Sequence, residues 1–117
     1  MKSVAVYVKG REAGVLGKFR DGTYEFRYTR RYLDDSRLPP VAFAFPKRPD
    51  AFRSRTLFPF FFGLLTEGEQ KERQCRLLKI DERDYFTRLA ETCREGVIGA
   101  VYVLPRKGFA RRRATPR

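Results

Sequence analysis

The apolar residues of this chain change period at Thr56. Before it they alternate one by one; after it they recur every three or four residues, and only the last apolar run returns to an extended pattern. A strand points successive side chains to opposite faces, whereas a helix brings a side chain back to the same face after about 3.6 residues. Strands collected ahead of helices exclude an interleaved, doubly wound sheet. They predict an α+β fold with a mostly antiparallel β-sheet, a meander plus a C-terminal strand, packed with three helices. At 117 residues there is room for one domain.

The extended half divides readily. Val4, Val6 and Val8 share one face of a first strand, with Ala5 and Tyr7 on the other, so neither face meets much water. Lys9-Gly10 suits a hairpin turn. Residues 13–19 form a second strand, in which Gly14 and Gly17 predict a bulge or a close backbone approach. Asp21-Gly22 is the strongest turn signal, and Tyr24, Phe26 and Tyr28 then alternate against Glu25 and Arg27 in a third strand. Residues 29–40 read as a loop with room for one helical turn. Val41-Ala-Phe-Ala-Phe45 alternates again and stops at Pro46, which predicts a fourth, edge strand, followed by an exposed basic loop over 46–55.

In the helical half, Leu57, Phe60, Phe61, Leu64 and Leu65 lie on one helical face, with Thr56 as the predicted cap and Pro59 in the first turn. Phe58 and Phe62 fall on a second face, which needs something else to pack against. Thr66-Glu67-Gly68-Glu69 fits a capping box for a charged helix to about Leu78 that offers Cys75, Leu77 and Leu78 to a core. Asp81 is the predicted cap of a third helix, with Ile80 and Tyr85 as its hydrophobic staple and Phe86, Leu89, Ala90 and Cys93 as its buried stripe. Val97 to Leu104 is the last strand, able to pair beside the first. The expected domain is 1–104, with 105–117 a basic tail carrying six cations and no acid.

The chemistry is bounded by what the chain contains. There is no His, hence no His general base, triad or metal ligand. Cys75 and Cys93 lack zinc spacing and suit helical stripes, as reduced thiols of a cytosolic chain. Most of the acids in the helical half sit at helix starts, where they favour the dipole. No catalytic residue, metal ligand or cofactor site is assigned. The N-terminus has no signal-peptide core and no stretch is long enough for a membrane span. The net charge of +12, with 19 Arg against 7 Lys, leaves three readings open: a solvated basic surface, an acidic protein partner, or nucleic acid.

Several segments together resemble one family. Leu57-Phe-Pro-Phe-Phe-Phe-Gly-Leu-Leu-Thr-Glu-Gly68 resembles the "fF..LLPEG" of HipA-type toxin kinases, near the end of their N-terminal subdomain. Arg73 with Leu77-Leu-Lys-Ile-Asp81 resembles the "R..la..lgis..d" that follows. Gly99-Ala100-Val101 resembles the "GA" before the last strand, and Val6-Tyr-Val-Lys-Gly10 with Gly14-Val-Leu16 resembles the opening "vyv.g..vG.l". The resemblance runs over residues 4–104 in order. Thr66 stands where the family usually has Pro, and Arg94 and Gly96 stand where it often has "G.D".

The resemblance implies the fold of that subdomain and stops short of the kinase core, so no ATP site or catalytic Asp carries over. A free-standing copy is similar to the HipS antitoxins of three-part HipBST systems. It implies a non-enzymatic, cytoplasmic antitoxin or regulatory subunit that binds a HipA-like Ser/Thr kinase in trans. A HipB-like helix-turn-helix DNA-binding protein is the implied third member. A subdomain of a larger fold should expose the face that packs on the kinase. Phe58 and Phe62 are its candidate anchors, unless they close a small core against the sheet. Thr66, Glu67, Gly68, Glu69, Gln70 and Arg73 are its candidate polar part. The alternatives are a bridge between kinase and repressor, or a nucleic-acid-binding accessory protein working through Arg106, Lys107, Arg111, Arg112, Arg113 and Arg117.

Overall fold

Alternation makes three strands, and two tight turns fold them into a meander. In the computed structural model, which describes residues 2–65, 69–92 and 101–106, β1 spans Lys2–Val8, β2 Arg11–Lys18 and β3 Tyr24–Tyr28. Lys9 and Gly10 both take positive φ, 49° and 86°, the type I′ geometry whose twist matches a hairpin. β1 pairs with β2 up to Val8↔Arg11, and β2 with β3 from Gly14↔Tyr28 to Lys18↔Tyr24. The register slips between Val6↔Gly14 and Tyr7↔Glu12, so Ala13 is the extra residue of a β-bulge. This is the irregularity that the glycines of β2 predicted.

The last strand, β5 (Val101–Pro105), pairs antiparallel with β1, and Arg106 continues the contact by donating its N–H to the Ser3 carbonyl. With a short fourth strand, β4, at Phe52–Ser54, the five-stranded sheet has the order β4-β3-β2-β1-β5 and is antiparallel throughout. The fourth strand is not where alternation placed it. β4 is Phe52–Ser54, inside the segment expected to be a basic loop, while 41–45 is a turn. Phe52 faces the core and Arg53 reaches Glu25 at 3.2 Å, which is enough for a three-residue edge. Val41 and Phe45 are buried from either end of the turn, and the Tyr28 hydroxyl ties them together: it accepts from the Val41 N–H at 2.9 Å and donates to the Phe45 carbonyl. A closed turn with two buried ends mimics a short alternating strand in sequence.

One face of the sheet carries the core. Phe26 is its hub, fully buried, with ring centroids 5.0 Å from Tyr28 and Phe45, 5.8 Å from Phe61 and 6.2 Å from Phe52. On the other face Tyr7 and Tyr102 stack across β1 and β5 at 5.2 Å. Four helices are described. α1 (Arg30–Asp34) is the helical turn allowed for after β3, capped by the Thr29 hydroxyl, which accepts from the Tyr32 N–H. α2 is Pro59–Phe62, α3 Glu69–Leu78 and α4 Tyr85–Thr92.

Two predicted caps move. The residue before α2 is Phe58, in an extended conformation and without a side-chain cap, so Thr56 does not start this helix. α4 begins after Asp84, not Asp81: the Asp84 carboxylate accepts from the Thr87 N–H at 3.2 Å and hydroxyl at 2.8 Å, while Asp81 closes the preceding turn through the Arg83 N–H. The predicted stripe of α4 is buried at Phe86, Leu89 and Ala90, with Cys93 outside the described residues. Arg88 is also buried, at 2% exposure, and donates to the Glu82 carbonyl at 3.2 Å. α4 is therefore enclosed beyond its apolar stripe, which periodicity did not show.

The exit from α1 makes a local test of the structure. The Asp35 carboxylate accepts from the side chain of Arg37 at 3.0 and 3.1 Å and from its N–H at 3.0 Å, and these bonds hold its pKa at about 2. A depressed carboxyl contributes stability that is present above the unfolded value of about 3.9 and is lost as pH falls towards 2. The site is exposed, so the stability effect is small. An NMR carboxyl titration should put the Asp35 midpoint near 2, and Arg37→Ala should raise it only part of the way towards the ordinary carboxylate value, because the backbone N–H of residue 37 still donates to it.

Candidate functional site

A docking face on this fold has to come from apolar side chains that the core leaves outside. Three large hydrophobic residues are exposed among the described residues: Phe43 at 102%, Leu77 at 74% and Phe62 at 40%. Two of them lie on the helices to which the candidate residues belong.

The structure separates Phe58 from Phe62. Phe58 is 8% exposed and packs edge-on against Phe45 at 5.2 Å and beside Phe61 at 6.3 Å. Its ring belongs to the core and is not a surface anchor. The cause is length: α2 is a single turn, and Phe58 precedes it as extended chain, so a helical wheel assigns it the wrong face. Phe62, inside the turn, points away from the core and rests edge-on against half-buried Tyr85 of α4 at 5.1 Å. The pair joins α2 to the start of α4, with part of the Phe62 ring left to solvent.

α3 supplies the polar part. Gln70 and Arg73 are exposed, and Leu77 continues the same line at i, i+3 and i+7. Leu77 corrects an expectation: it was assigned to the core with Cys75 and Leu78, but the structure buries Cys75, half-buries Leu78 and turns Leu77 outward. One hundred degrees of helix separates each residue from the next, so adjacent Leu77 and Leu78 cannot share a face. Cys75 lies one turn before Leu78 and takes the inner line. Glu69 is the first residue of α3. Thr66, Glu67 and Gly68 lie outside the described residues, as does the capping box they were expected to form. Of the basic tail residues, Arg106 is described and exposed; Lys107, Arg111, Arg112, Arg113 and Arg117 are not described.

One described cleft holds two carboxylates, both already engaged. The open cleft of about 350 Å³ between the β1–β2 end and α4 is lined by Lys2, Lys18, Asp81, Arg83, Asp84, Phe86 and Thr87. Asp84 caps α4 through the Thr87 N–H and hydroxyl, and Asp81 closes the preceding turn through the Arg83 N–H. No group of three His, Cys, Asp or Glu residues suited to a metal occurs among the described residues, and no described helix is long and apolar enough to cross a membrane.

A β-meander completed by a C-terminal strand, one face under short helices, Phe62, Gln70, Arg73 and Leu77 outside: this is the α+β class of the HipA N-terminal domain. The family model of that domain matches residues 4–104, and the chain belongs to this family. The solved N-terminal domain of HipA toxin superposes with a TM-score of 0.66 at 28% identity, over 92% of this chain and 94% of that one. "Putative kinase Y4mE" of Sinorhizobium fredii is 33% identical over 100 residues, 86% of this chain, which thus spans 24% of that relative's length. An uncharacterized protein of Haemophilus influenzae is 32% identical over 107 residues, 92% of this chain and 95% of its own. The chain is thereby related to toxin–antitoxin proteins of the HipA type.

Proposed function

We propose that this protein is an antitoxin or regulatory subunit that binds a HipA-type Ser/Thr kinase in trans and neutralises it, with no chemistry of its own. The observation that carries the reading is the set of side chains left outside the core, Phe62 on α2 and, on one line of α3, Gln70, Arg73 and Leu77, in a chain that matches the HipA N-terminal domain over residues 4–104. In "Putative kinase Y4mE" the matching stretch is about a quarter of a longer chain, so a domain of this family is there covalently joined to further sequence. Supplied separately, the same fold offers the same kind of contact between molecules. An exposed aromatic anchor is what such a contact requires. A HipB-like helix-turn-helix protein is the further partner this reading implies.

The test is co-expression with a HipA-type kinase from the same organism. A stable complex and relief of growth arrest are expected. Phe62→Asp, which sets a charge where part of an aromatic ring should be buried, should weaken the complex about 10-fold, while Tyr85→Ala, which removes the same intramolecular ring contact, measures how much of that loss comes from the fold. Unrelieved growth arrest with no complex on a sizing column would sink the reading.

A further inference from the structure

Phe43 is the most exposed large apolar side chain described, and its turn is anchored at both ends. The Phe45 N–H donates to the Ala42 carbonyl at 3.0 Å, closing a turn with Phe43 at its first corner. Both ends of the turn are buried, Val41 and Phe45, and both are tied to the hydroxyl of Tyr28 in β3. The Phe43 ring makes no ring contact among the described residues and stands between two alanines that cannot cover it. A side chain so placed is neither a core residue that slipped out nor part of a loose loop: the backbone beneath it is fixed. An aromatic ring presented on fixed backbone loses little freedom when it enters a pocket, the condition for an interface anchor.

The surroundings say what kind of pocket. Between Ser36 and Leu65 the chain has five cations, Arg37, Lys47, Arg48, Arg53 and Arg55, and one acid, Asp50; Arg37 and Arg53 are paired with the carboxylates of Asp35 and Glu25, so the positive charge next to the turn comes from Lys47 and Arg48. Two of the cations next to the turn are held by neutral partners. Lys47 donates to the carbonyls of Asp35 and Leu38 at 2.8 and 2.9 Å, and Arg48 to those of Asp50 and Ala51 at 3.3 and 3.2 Å. Carbonyls fix the side chains without cancelling their charge. The turn is thus an apolar knob on a positive base.

We infer that the turn around Phe43 is a second docking point for the kinase of the proposed function, and that Phe43 enters an apolar socket on it rimmed by carboxylates. The inference rests on that function and adds a contact on a segment separate from α2 and α3. A single ring between alanines fits a protein pocket better than single-stranded nucleic acid, whose binders stack successive bases on several aromatic side chains.

Phe43→Ser in the full chain tests it, by titrating the kinase at low and high salt. The expected result is affinity lowered about 30-fold or more, with the melting temperature unchanged, because the ring touches nothing that folding buries. Wild-type affinity should also fall as salt rises, as charge complementarity demands. Several results would overturn the inference. One is a Phe43→Ser complex as tight as wild type, which leaves the antitoxin reading standing. Another is a wild-type affinity that rises with salt. A third is a dimer of the isolated chain that Phe43→Ser dissociates, because the ring's occupant would then be a second copy. If wild-type protein forms no complex at all, both this inference and the proposed function fall.

Discussion

Gly14→Ala should cost about 3 kcal/mol or more and lower the melting temperature by roughly 10 °C or more, although a single methyl group is added. Its backbone does not need glycine for conformational reasons; its side does. A Cβ there would lie 2.5 Å from the Arg27 carbonyl oxygen on β3 and 2.8 Å from two ring carbons of Phe26. The first contact is backbone in a paired strand, and the second is the hub of the aromatic core. Neither yields cheaply, because Phe26 is already packed by Tyr28, Phe45, Phe52 and Phe61. In an uncrowded strand the same change would stabilise, since alanine loses less backbone freedom on folding. The sign therefore decides the matter: a melting temperature equal to or above wild type would show that Phe26 does not sit over Gly14.

How far the sequence predicts this fold depends on how long each pattern runs. β1 and β3 are legible because alternation over five or more residues leaves no other reading, and the Phe86, Leu89 and Ala90 stripe marks α4 for the same reason. Short elements defeat the method. β4 has three residues and is held by Phe52 and by the Arg53–Glu25 pair, a long-range contact with no local signature. The Val41–Phe45 turn looks like a strand because Tyr28, thirteen residues earlier than Val41, buries its two ends. Phe58 illustrates the same limit at the site. A wheel drawn through a one-turn helix places it outside, and tertiary packing against Phe45 puts it inside.

The exposed residues follow the opposite logic. Phe62 was found because it fell off the apolar stripe, and it is outside in the structure. Leu77 could have been found by the same reasoning, since Cys75 and Leu78 already define the inner line of α3. Phe43 could not: within an alternating run it reads as a core residue, and only the closed turn turns it out. The resemblance to HipA agrees with the order of elements read from the patterns but carries no information about side chains specific to this chain.

Tyr28→Phe tests the device that makes that turn. Removing one oxygen leaves two buried partners unsatisfied, the Val41 N–H and the Phe45 carbonyl, while the ring and its packing against Phe26 stay. Each unsatisfied buried group costs about 1–3 kcal/mol, so a loss of about 2–4 kcal/mol is expected, a large fraction of the stability of a domain of this size. The phenol is neutral in the folded protein, because burial raises its pKa. The loss should accordingly be constant from pH 6 to 9. Amide exchange should speed up at Val41 and Phe45 beyond what the global destabilisation explains, because the hydroxyl is the tie between the two ends of the turn. Uniform exchange across the sheet with no excess at these two amides would mean that the turn is held by its own hydrogen bond and by the burial of Val41 and Phe45. The loop would then be fixed by packing alone, and a mutation at Tyr28 would leave the presentation of Phe43 unchanged.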